Sequence, residues 1–142
     1  MIDVHCHLEQ QDYDADRDEI IKKCKKKLKA IITCCTLPRD WPLTKEIVEK
    51  HKGFCFAIAG IHPQHIKDIA DKETEDFISA IRTFDIKAIG EVGLDFYWIK
   101  EQNWREKQKE LFVKFIKAAK ESKLPLVVHS RNAIQECIEI LE

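Results

Sequence analysis

Glycine is scarce in this sequence, with four glycines among 142 residues. No Gly-x-Gly-x-x-Gly or Gly-x-x-x-x-Gly-Lys segment occurs after any strand that the sequence predicts. Such loops bring backbone N–H groups close to phosphate oxygens, which is how many nucleotide-binding sheets hold their ligand. Their absence argues against a doubly wound nucleotide-binding fold.

Long apolar runs and an excess of one charge are also missing. No stretch approaches the roughly 20 apolar residues of a transmembrane helix, and a strand begins within the first residues, so we expect a cytoplasmic protein with no leader and no membrane partner. The 24 lysines and arginines nearly balance the 25 aspartates and glutamates. The chain therefore lacks the basic character of a dedicated nucleic-acid binder, and any polyanion must be held locally.

The six cysteines include no C-x-x-C pair, the spacing that is typical of redox and zinc motifs. Most have apolar neighbours, as buried reduced cysteines do. We expect free thiols in the core at the following positions: Cys6, Cys24, Cys34, Cys35, Cys55 and Cys137.

Short apolar strands alternate with amphipathic helices along the whole chain. The pattern predicts strands at 2–7, 30–35, 54–59, 86–95 and 126–131, and helices near 17–29, 43–52, 74–83, 104–122 and 132–142. Asn132 is a plausible cap of the last helix. This alternation is typical of βαβ units with a parallel sheet. We therefore expect an α/β, TIM-barrel-like fold with about five of eight units present, as a single domain over residues 1–142.

An H-x-H pair occupies the end of the first strand. Alternate residues of a strand share a face, so His5 and His7 should point the same way. Two neutral imidazoles at this spacing can hold a divalent metal, although the pair alone is weak evidence.

Further polar residues follow the later strands where those strands end. His62 follows the third strand, Glu91 and Asp95 lie on the fourth, and His129 and Arg131 end the fifth. The carboxyl ends of parallel strands form the face on which TIM-type barrels build their sites. We predict that His5, His7, Glu91 and His129 converge there and that Glu91 can bridge two ions.

Four segments together resemble the TatD-type metal-dependent deoxyribonucleases of the amidohydrolase superfamily. They are D-V-H-C-H near the start, then G-I-H-P, A-I-G-E-V-G-L-D-F-Y and L-P-L-V-V-H-S-R, in the family's order and at matching intervals. The resemblance implies that His5 and His7 bind one ion, that Glu91 bridges two as the central catalytic carboxylate, and that His129 binds the second. It also implies up to two ions of magnesium, manganese or zinc, and DNA, as a single strand or at duplex ends, as substrate.

The same resemblance assigns weaker roles to three residues. His62, Asp95 and Arg131 match motif positions that line the site, where they would contact substrate phosphate or support the metal ligands. The loop Phe96-Tyr97-Trp98 lies beside these positions, where its rings could stack on bases or pack over the mouth of the barrel.

The length of the chain departs from the family pattern. A complete eight-unit barrel has about 250 residues, and we expect truncation after the fifth unit here. The resemblance implies a later histidine and an aspartate that are absent from these 142 residues, and that this aspartate would bind the first ion and orient the attacking water. An unclosed sheet has open edges, so we expect self-association. Two other functions remain open, a non-catalytic remnant or partner-dependent half-barrel and a small-molecule amidohydrolase.

Overall fold

Five parallel strands form one sheet in the computed structural model, which describes residues 1–142. The strands are β1 (Ile2–Cys6), β2 (Ala30–Cys35), β3 (Cys55–Ala59), β4 (Ala88–Asp95) and β5 (Leu126–Arg131). They lie side by side in the order of the sequence, and every neighbouring pair is parallel. Sequential parallel order is that of a TIM-type barrel, so the predicted fold class is confirmed, with five units forming a curled half-barrel.

Helices connect the strands and cover one face of the sheet. They are α1 (Arg17–Lys25), α2 (Trp41–Lys50), α3 (Asp71–Arg82), α4 (Gln102–Ser122) and α5 (Ile134–Leu141). None of them has the length and apolar character needed to cross a bilayer.

The main hydrophobic core lies between this face of the sheet and the helices. Phe77 and Ile81 of α3 are four residues apart and both buried, and Phe112 and Phe115 of α4 are almost completely buried. This spacing places each pair on one side of its helix. Burying each such side chain contributes roughly 1.5–3 kcal/mol, so this core holds the helices against the sheet.

Each helix differs from the sequence prediction at one end or both, by up to four residues, and the differences at the end of α1 and the start of α5 have a local cause. Helix α1 ends at Lys25 and not at Lys29, because the Lys29 N–H donates to the carbonyl of Met1 and already belongs to the pairing of β1 with β2. Asn132 does not cap the last helix, since the N-cap residue is Ala133. Asn132 instead has φ 55°, a left-handed conformation that asparagine tolerates better than most residues.

Two of the three strands that carry predicted site residues, β1 and β4, contain an extra residue. Between the pairs Asp3 with Ile31 and Cys6 with Thr33, two residues of β1 lie opposite one residue of β2. The same irregularity separates the pairings of Ile89 and Val92 in β4 with β5. A bulge redirects side chains relative to a regular strand. The bulged segments contain His5 and Glu91.

The other face of the sheet is covered only in part. Register partners Cys34, Ile58 and Ala88 form a small buried cluster on it. Strands β1 and β5 are outermost and each pairs on one side only. Exposed apolar side chains are concentrated on these strands and on α5: Met1, Ile2, Val4, Val128, Ile134, Ile138 and Leu141.

All six cysteines are free thiols, as expected. Four of them, Cys34, Cys35, Cys55 and Cys137, are buried, whereas Cys6 and Cys24 are half-buried.

Candidate metal centre

His5 and His7 lie side by side at the carboxyl end of β1. Their ring centroids are 5.2 Å apart and the two rings meet edge to face. His5 is the more exposed of the two, with 37% of its side chain accessible. The pair is therefore brought together as the alternation of the strand predicts.

The ring of His7 is held by β2 and by a buried carboxylate. Its Nδ1 lies 2.8 Å from the carbonyl oxygen of Cys34 and 3.2 Å from Oε1 of the buried Glu9. The hydrogen bond to Glu9 raises the pKa of His7, against the effect of burial. Because both partners of Nδ1 are acceptors, the proton of the neutral ring is placed on Nδ1, and Nε2 carries the lone pair that a metal would use.

Glu91 lies between β1 and β5 and faces both with different oxygens. Its Oε2 is 3.3 Å from Nε2 of His5, and its Oε1 is 2.9 Å from Nδ1 of His129. The hydrogen bond from His129 is the largest influence that lowers the pKa of Glu91. The carboxylate therefore stays ionised and presents one oxygen to each side of the site.

His129 is oriented by Asp95, which is fully buried. Nε2 of His129 lies 3.1 Å from Oδ2 of Asp95, while Oδ1 accepts the backbone N–H groups of Tyr97 and Trp98 at 3.0 and 2.9 Å. Burial lowers the pKa of His129, but the hydrogen bonds to Glu91 and Asp95 outweigh it and the net shift is upward. Asp95 thus holds a proton on Nε2 and leaves Nδ1 facing Glu91.

His62 reaches the same cluster from the loop after β3. Its Nε2 is 3.0 Å from Nδ1 of His129 and 4.0 Å from Oε1 of Glu91. Burial, and then the neighbouring His129, lower the pKa of His62 to about 4, so the ring is neutral at pH 7. Since Nδ1 accepts the backbone N–H of Gln64, the proton lies on Nε2, and His62 faces the site as a hydrogen-bond donor and not as a metal ligand.

Arg131 lies over the exposed aromatic loop that follows β4. Its guanidinium carbon is 4.1 Å from the ring centroid of Tyr97 and 5.6 Å from that of Trp98. Both rings are largely accessible, at 42% and 56%, while Phe96 is buried. The loop therefore combines packing by Phe96 with an open cationic and aromatic surface formed by the other three residues.

Sequence reasoning missed three residues of the site. Glu9 accepts the hydroxyl of Thr33 at 2.7 Å and supports His7. Gln108 of α4 is fully buried and accepts the N–H of Asp95 at 3.0 Å. The thiol of Cys34 lies near His5 and Glu91. Of the three, only Glu9 could be identified from a local sequence pattern, because it is a carboxylate two residues after the H-x-H pair.

The donor atoms form two groups that share Glu91. One contains His5, Cys34 and Glu91, the other contains His62, Glu91 and His129, and within each group the ligand atoms all lie within 4.8 Å of one another. His7 lies outside both groups. Imidazole nitrogens, a thiol and a carboxylate are the ligand types that zinc and similar cations take, so the residues present fit divalent metal.

Comparison with known proteins identifies the family. The family model described as "TatD related DNase" matches residues 2–142. The chain belongs to the TatD family. The resemblance stated from the four sequence motifs is therefore confirmed.

Several TatD relatives match over nearly the whole chain. A metal-dependent hydrolase of Methanocaldococcus jannaschii is 33% identical over 141 residues, which cover 98% of this chain and 54% of that protein. Deoxyribonuclease TATDN3 of Homo sapiens is 29% identical, covering 100% of this chain and 56% of that protein. The chain spans about half the length of the curated relatives it matches.

Solved TatD structures have the same fold. The crystal structure of YjjV, a TatD homologue of Escherichia coli, superposes with a TM-score of 0.86 at 23% identity, covering 99% of this chain and 54% of that one. A TatD-family hydrolase of Entamoeba histolytica gives a TM-score of 0.84 at 19% identity, with 99% and 52% covered. At this identity the likeness concerns the fold, and it places the five strands in one half of a TatD barrel.

Proposed function

We propose that this chain carries half of the site of a metal-dependent hydrolase that cleaves DNA phosphodiester bonds. The observation that carries the proposal is the position of Glu91, whose two oxygens face His5 on one side and His129 on the other. A carboxylate placed in this way can bridge two cations. The family's named relatives, a deoxyribonuclease among them, support the choice of reaction.

In this proposal each histidine has a defined ligand atom. His5 would hold one cation through Nε2, which faces Glu91, together with Nε2 of His7, and His129 would hold the other through Nδ1. Magnesium, manganese and zinc all remain candidates for these ions. When bound, such cations supply Lewis acidity, which activates water for attack and offsets the charge that develops on phosphoryl oxygens.

Three further side chains act on the substrate or on the ligands. Asp95 fixes the tautomer of His129 and contacts no substrate. His62 directs its Nε2–H toward the cluster and can donate to a phosphoryl oxygen. Arg131 supplies a permanent positive charge at the rim of the site, suited to a phosphate group.

DNA, as a single strand or at duplex ends, is the proposed substrate because the rim offers stacking surface beside a cation. The exposed rings of Tyr97 and Trp98 can stack on unpaired bases, at roughly 1–3 kcal/mol for each base. Replacing Trp98 by Ala should weaken binding of single-stranded DNA by that amount, in a fluorescence anisotropy titration, with little change in thermal stability. Val113→Ala, an exposed apolar change on α4, is the control. A larger loss of stability than of DNA affinity would assign Trp98 to packing.

The test of the reaction is cleavage of labelled oligonucleotides with magnesium, manganese or zinc added to chelator-treated protein. We expect metal-dependent products from the wild type and none from Glu91→Gln, which keeps the size of the side chain but removes its charge. Glu110→Gln, an exposed change on α4, should behave as wild type. Calorimetric titration of the same proteins measures metal binding separately.

The same assay separates the alternative functions. Turnover of amides or lactones without turnover of phosphodiesters would indicate a small-molecule amidohydrolase with the same ligands. Metal binding without turnover of any substrate would indicate a non-catalytic remnant or a half-barrel that needs a partner. In the proposed protein, only phosphodiesters are cleaved.

We also propose that this 142-residue polypeptide self-associates through its open edges. Strands β1 and β5 have unpaired backbone groups, and apolar side chains such as Val4 and Val128 are exposed beside them. Size-exclusion chromatography with light scattering should show oligomers that Val128→Lys reduces and Val113→Lys does not. A wild-type monomer at high concentration would contradict this.

The cytoplasmic location and the single domain over 1–142 stay predictions.

A further inference from the structure

Cys34 lies beside the candidate metal centre, unlike Cys35, the next residue in the sequence. Its side chain lies on the inner, open face of the sheet, in register with Ile58 of β3, whereas the adjacent Cys35 packs into the core under the helices. Its own carbonyl oxygen holds the ring of His7 at 2.8 Å. Cys34 is thus the point at which β2 meets the site.

The sulfur of Cys34 is close to two metal-binding side chains. It lies within 4.8 Å of a ring nitrogen of His5 and of a carboxylate oxygen of Glu91, which themselves are 3.3 Å apart. These three donors come from three different strands. They converge on one point, and Cys34 is the one cysteine of the chain that belongs to such a group.

The thiol of Cys34 is fully buried and donates no hydrogen bond. The thiols of Cys6, Cys35 and Cys137 each donate to a backbone carbonyl, at 3.5, 3.2 and 3.9 Å, whereas those of Cys24 and Cys55 also donate none but belong to no group of metal-binding donors. A buried thiol that donates no hydrogen bond and lies beside an imidazole and a carboxylate is placed as a ligand would be. Burial raises the pKa of the Cys34 thiol, and the charge of Glu91 adds to this, so the thiol keeps its proton until a cation replaces it.

We infer that Cys34 is a sulfur ligand of the cation held by His5 and Glu91, and that this half of the site selects zinc over magnesium or manganese. The inference rests on the proposed metal centre. On binding, the S–H bond breaks, the proton leaves to solvent, and the thiolate forms a bond to the divalent ion with no change of oxidation state. Thiolate is a soft ligand that zinc accepts and that magnesium and manganese disfavour. The other half of the site, with nitrogen and oxygen donors only, has no such preference.

Cobalt spectroscopy tests this without an activity assay. Chelator-treated wild type titrated with Co²⁺ should show visible d–d bands and, in the near ultraviolet, a sulfur-to-cobalt charge-transfer band. Cys34→Ser should lose the charge-transfer band while keeping d–d bands, and its zinc affinity should fall roughly tenfold or more with a smaller change for manganese. Cys6→Ser, the same change at a half-buried thiol that bonds to Ile32, should keep the band.

The possible outcomes separate this inference from the proposed function. Cobalt bound with d–d bands but no charge-transfer band would overturn the role of Cys34 and leave the metal centre intact. No cobalt binding at all would overturn both. X-ray absorption of the wild-type zinc form gives a check that needs no variant: a sulfur shell at about 2.3 Å supports the inference, and nitrogen and oxygen neighbours alone, at about 2.0–2.2 Å, refute it.

Discussion

The two sides of the candidate metal centre differ in how firmly the protein holds them. On the β4–β5 side, His129 is fixed by the buried Asp95, which is fixed in turn by Gln108 and by two backbone N–H groups of the aromatic loop. On the β1 side, His5 lies on an edge strand and its one polar side-chain contact within the site is Glu91. The β4–β5 side is therefore organised by the fold, and on the β1 side His7 is held by Cys34 and Glu9 while His5 depends on the ion and on Glu91.

The two sides should therefore differ in how much their ligands contribute to folding and how much to metal binding. A preorganised ligand keeps its geometry when the ion leaves, because packing and hydrogen bonds hold its rotamer. A ligand on an edge strand with few contacts adapts to the ion and loses conformational entropy on binding. Changes on the β4–β5 side should consequently affect folding as well as binding, and changes at His5 should affect binding alone.

The largest loss of stability is expected from a side chain added at Gly93 of β4, which lies against β5. Gly93 has φ 143°, and a Cβ there would lie 2.1 Å from the carbonyl oxygen of His129. We expect Gly93→Ala to lower the free energy of unfolding by about 3 kcal/mol or more, because backbone must move to make room. Urea denaturation measures it. Gly53→Ala is the control, since Gly53 also has a positive φ but no atom within 4 Å of its Cβ, and it should cost about 1 kcal/mol. Equal losses in the two variants would show that the strands are not closely fixed at Gly93.

A smaller effect is expected from the buried carboxylate that supports His129. Asp95→Asn keeps an acceptor for the loop N–H groups but turns a donor toward Nε2 of His129. We expect a loss of about 1–3 kcal/mol in the free energy of unfolding and a 10- to 100-fold weaker affinity for the second cation. Denaturation and calorimetry on one preparation check both. Unchanged metal affinity would remove Asp95 from the centre.

The pH dependence of the metal-free protein tests the buried imidazoles. The pKa of His62 falls from 6.5 to about 4 on folding, so the folded protein binds fewer protons than the unfolded chain between these values. The stability that His62 contributes is fully present above pH 6.5 and is lost as the pH falls toward 4. His129, with its raised pKa, contributes in the opposite sense, fully below pH 6.5 and less as the pH rises through its folded pKa.

We therefore expect the urea concentration at the unfolding midpoint, measured in the presence of a chelator, to decrease as the pH is lowered from 6.5 to 4. The decrease should be smaller in His62→Gln. His65→Gln is the comparison, because burial also lowers the pKa of the neighbouring His65, but less than that of His62, so this variant should keep more of the fall than His62→Gln does. An identical decrease of the midpoint in wild type and His62→Gln would contradict a buried neutral His62.

The smallest stability effect is expected on the β1 side. Because the side chain of His5 is 37% exposed and has one polar side-chain contact within the site, His5→Ala should change the free energy of unfolding by no more than about 0.5 kcal/mol. Its metal affinity should nevertheless fall, since the first cation loses a ligand. A destabilisation as large as that of Asp95→Asn would show that both sides are equally built into the fold.

The parts of this structure that the sequence predicts are those with local causes. The alternation of apolar strands and amphipathic helices predicts the five units, and polar residues at strand ends indicate Glu91, His129 and Asp95. The bonds of Gln108 to Asp95 and of Thr33 to Glu9 join residues 13 and 24 positions apart, so no local pattern reveals them. The predicted end of α1 at Lys29 is wrong for the same reason, since the N–H of Lys29 donates to the carbonyl of Met1, 28 positions away, and not to a carbonyl of the helix.

The bulges of β1 and β4 have a consequence for how such a site can arise. In each strand, two residues occupy the space of one, Val4 with His5 and Gly90 with Glu91. A regular strand with the same pairings on either side would be one residue shorter and would hold only one member of each couple. A donor at either place can therefore be gained or lost by insertion or deletion of a single codon, while the flanking hydrogen bonds stay in register. Among relatives of this chain, changes in strand length should mark the loss of metal binding as clearly as substitutions of the ligands do.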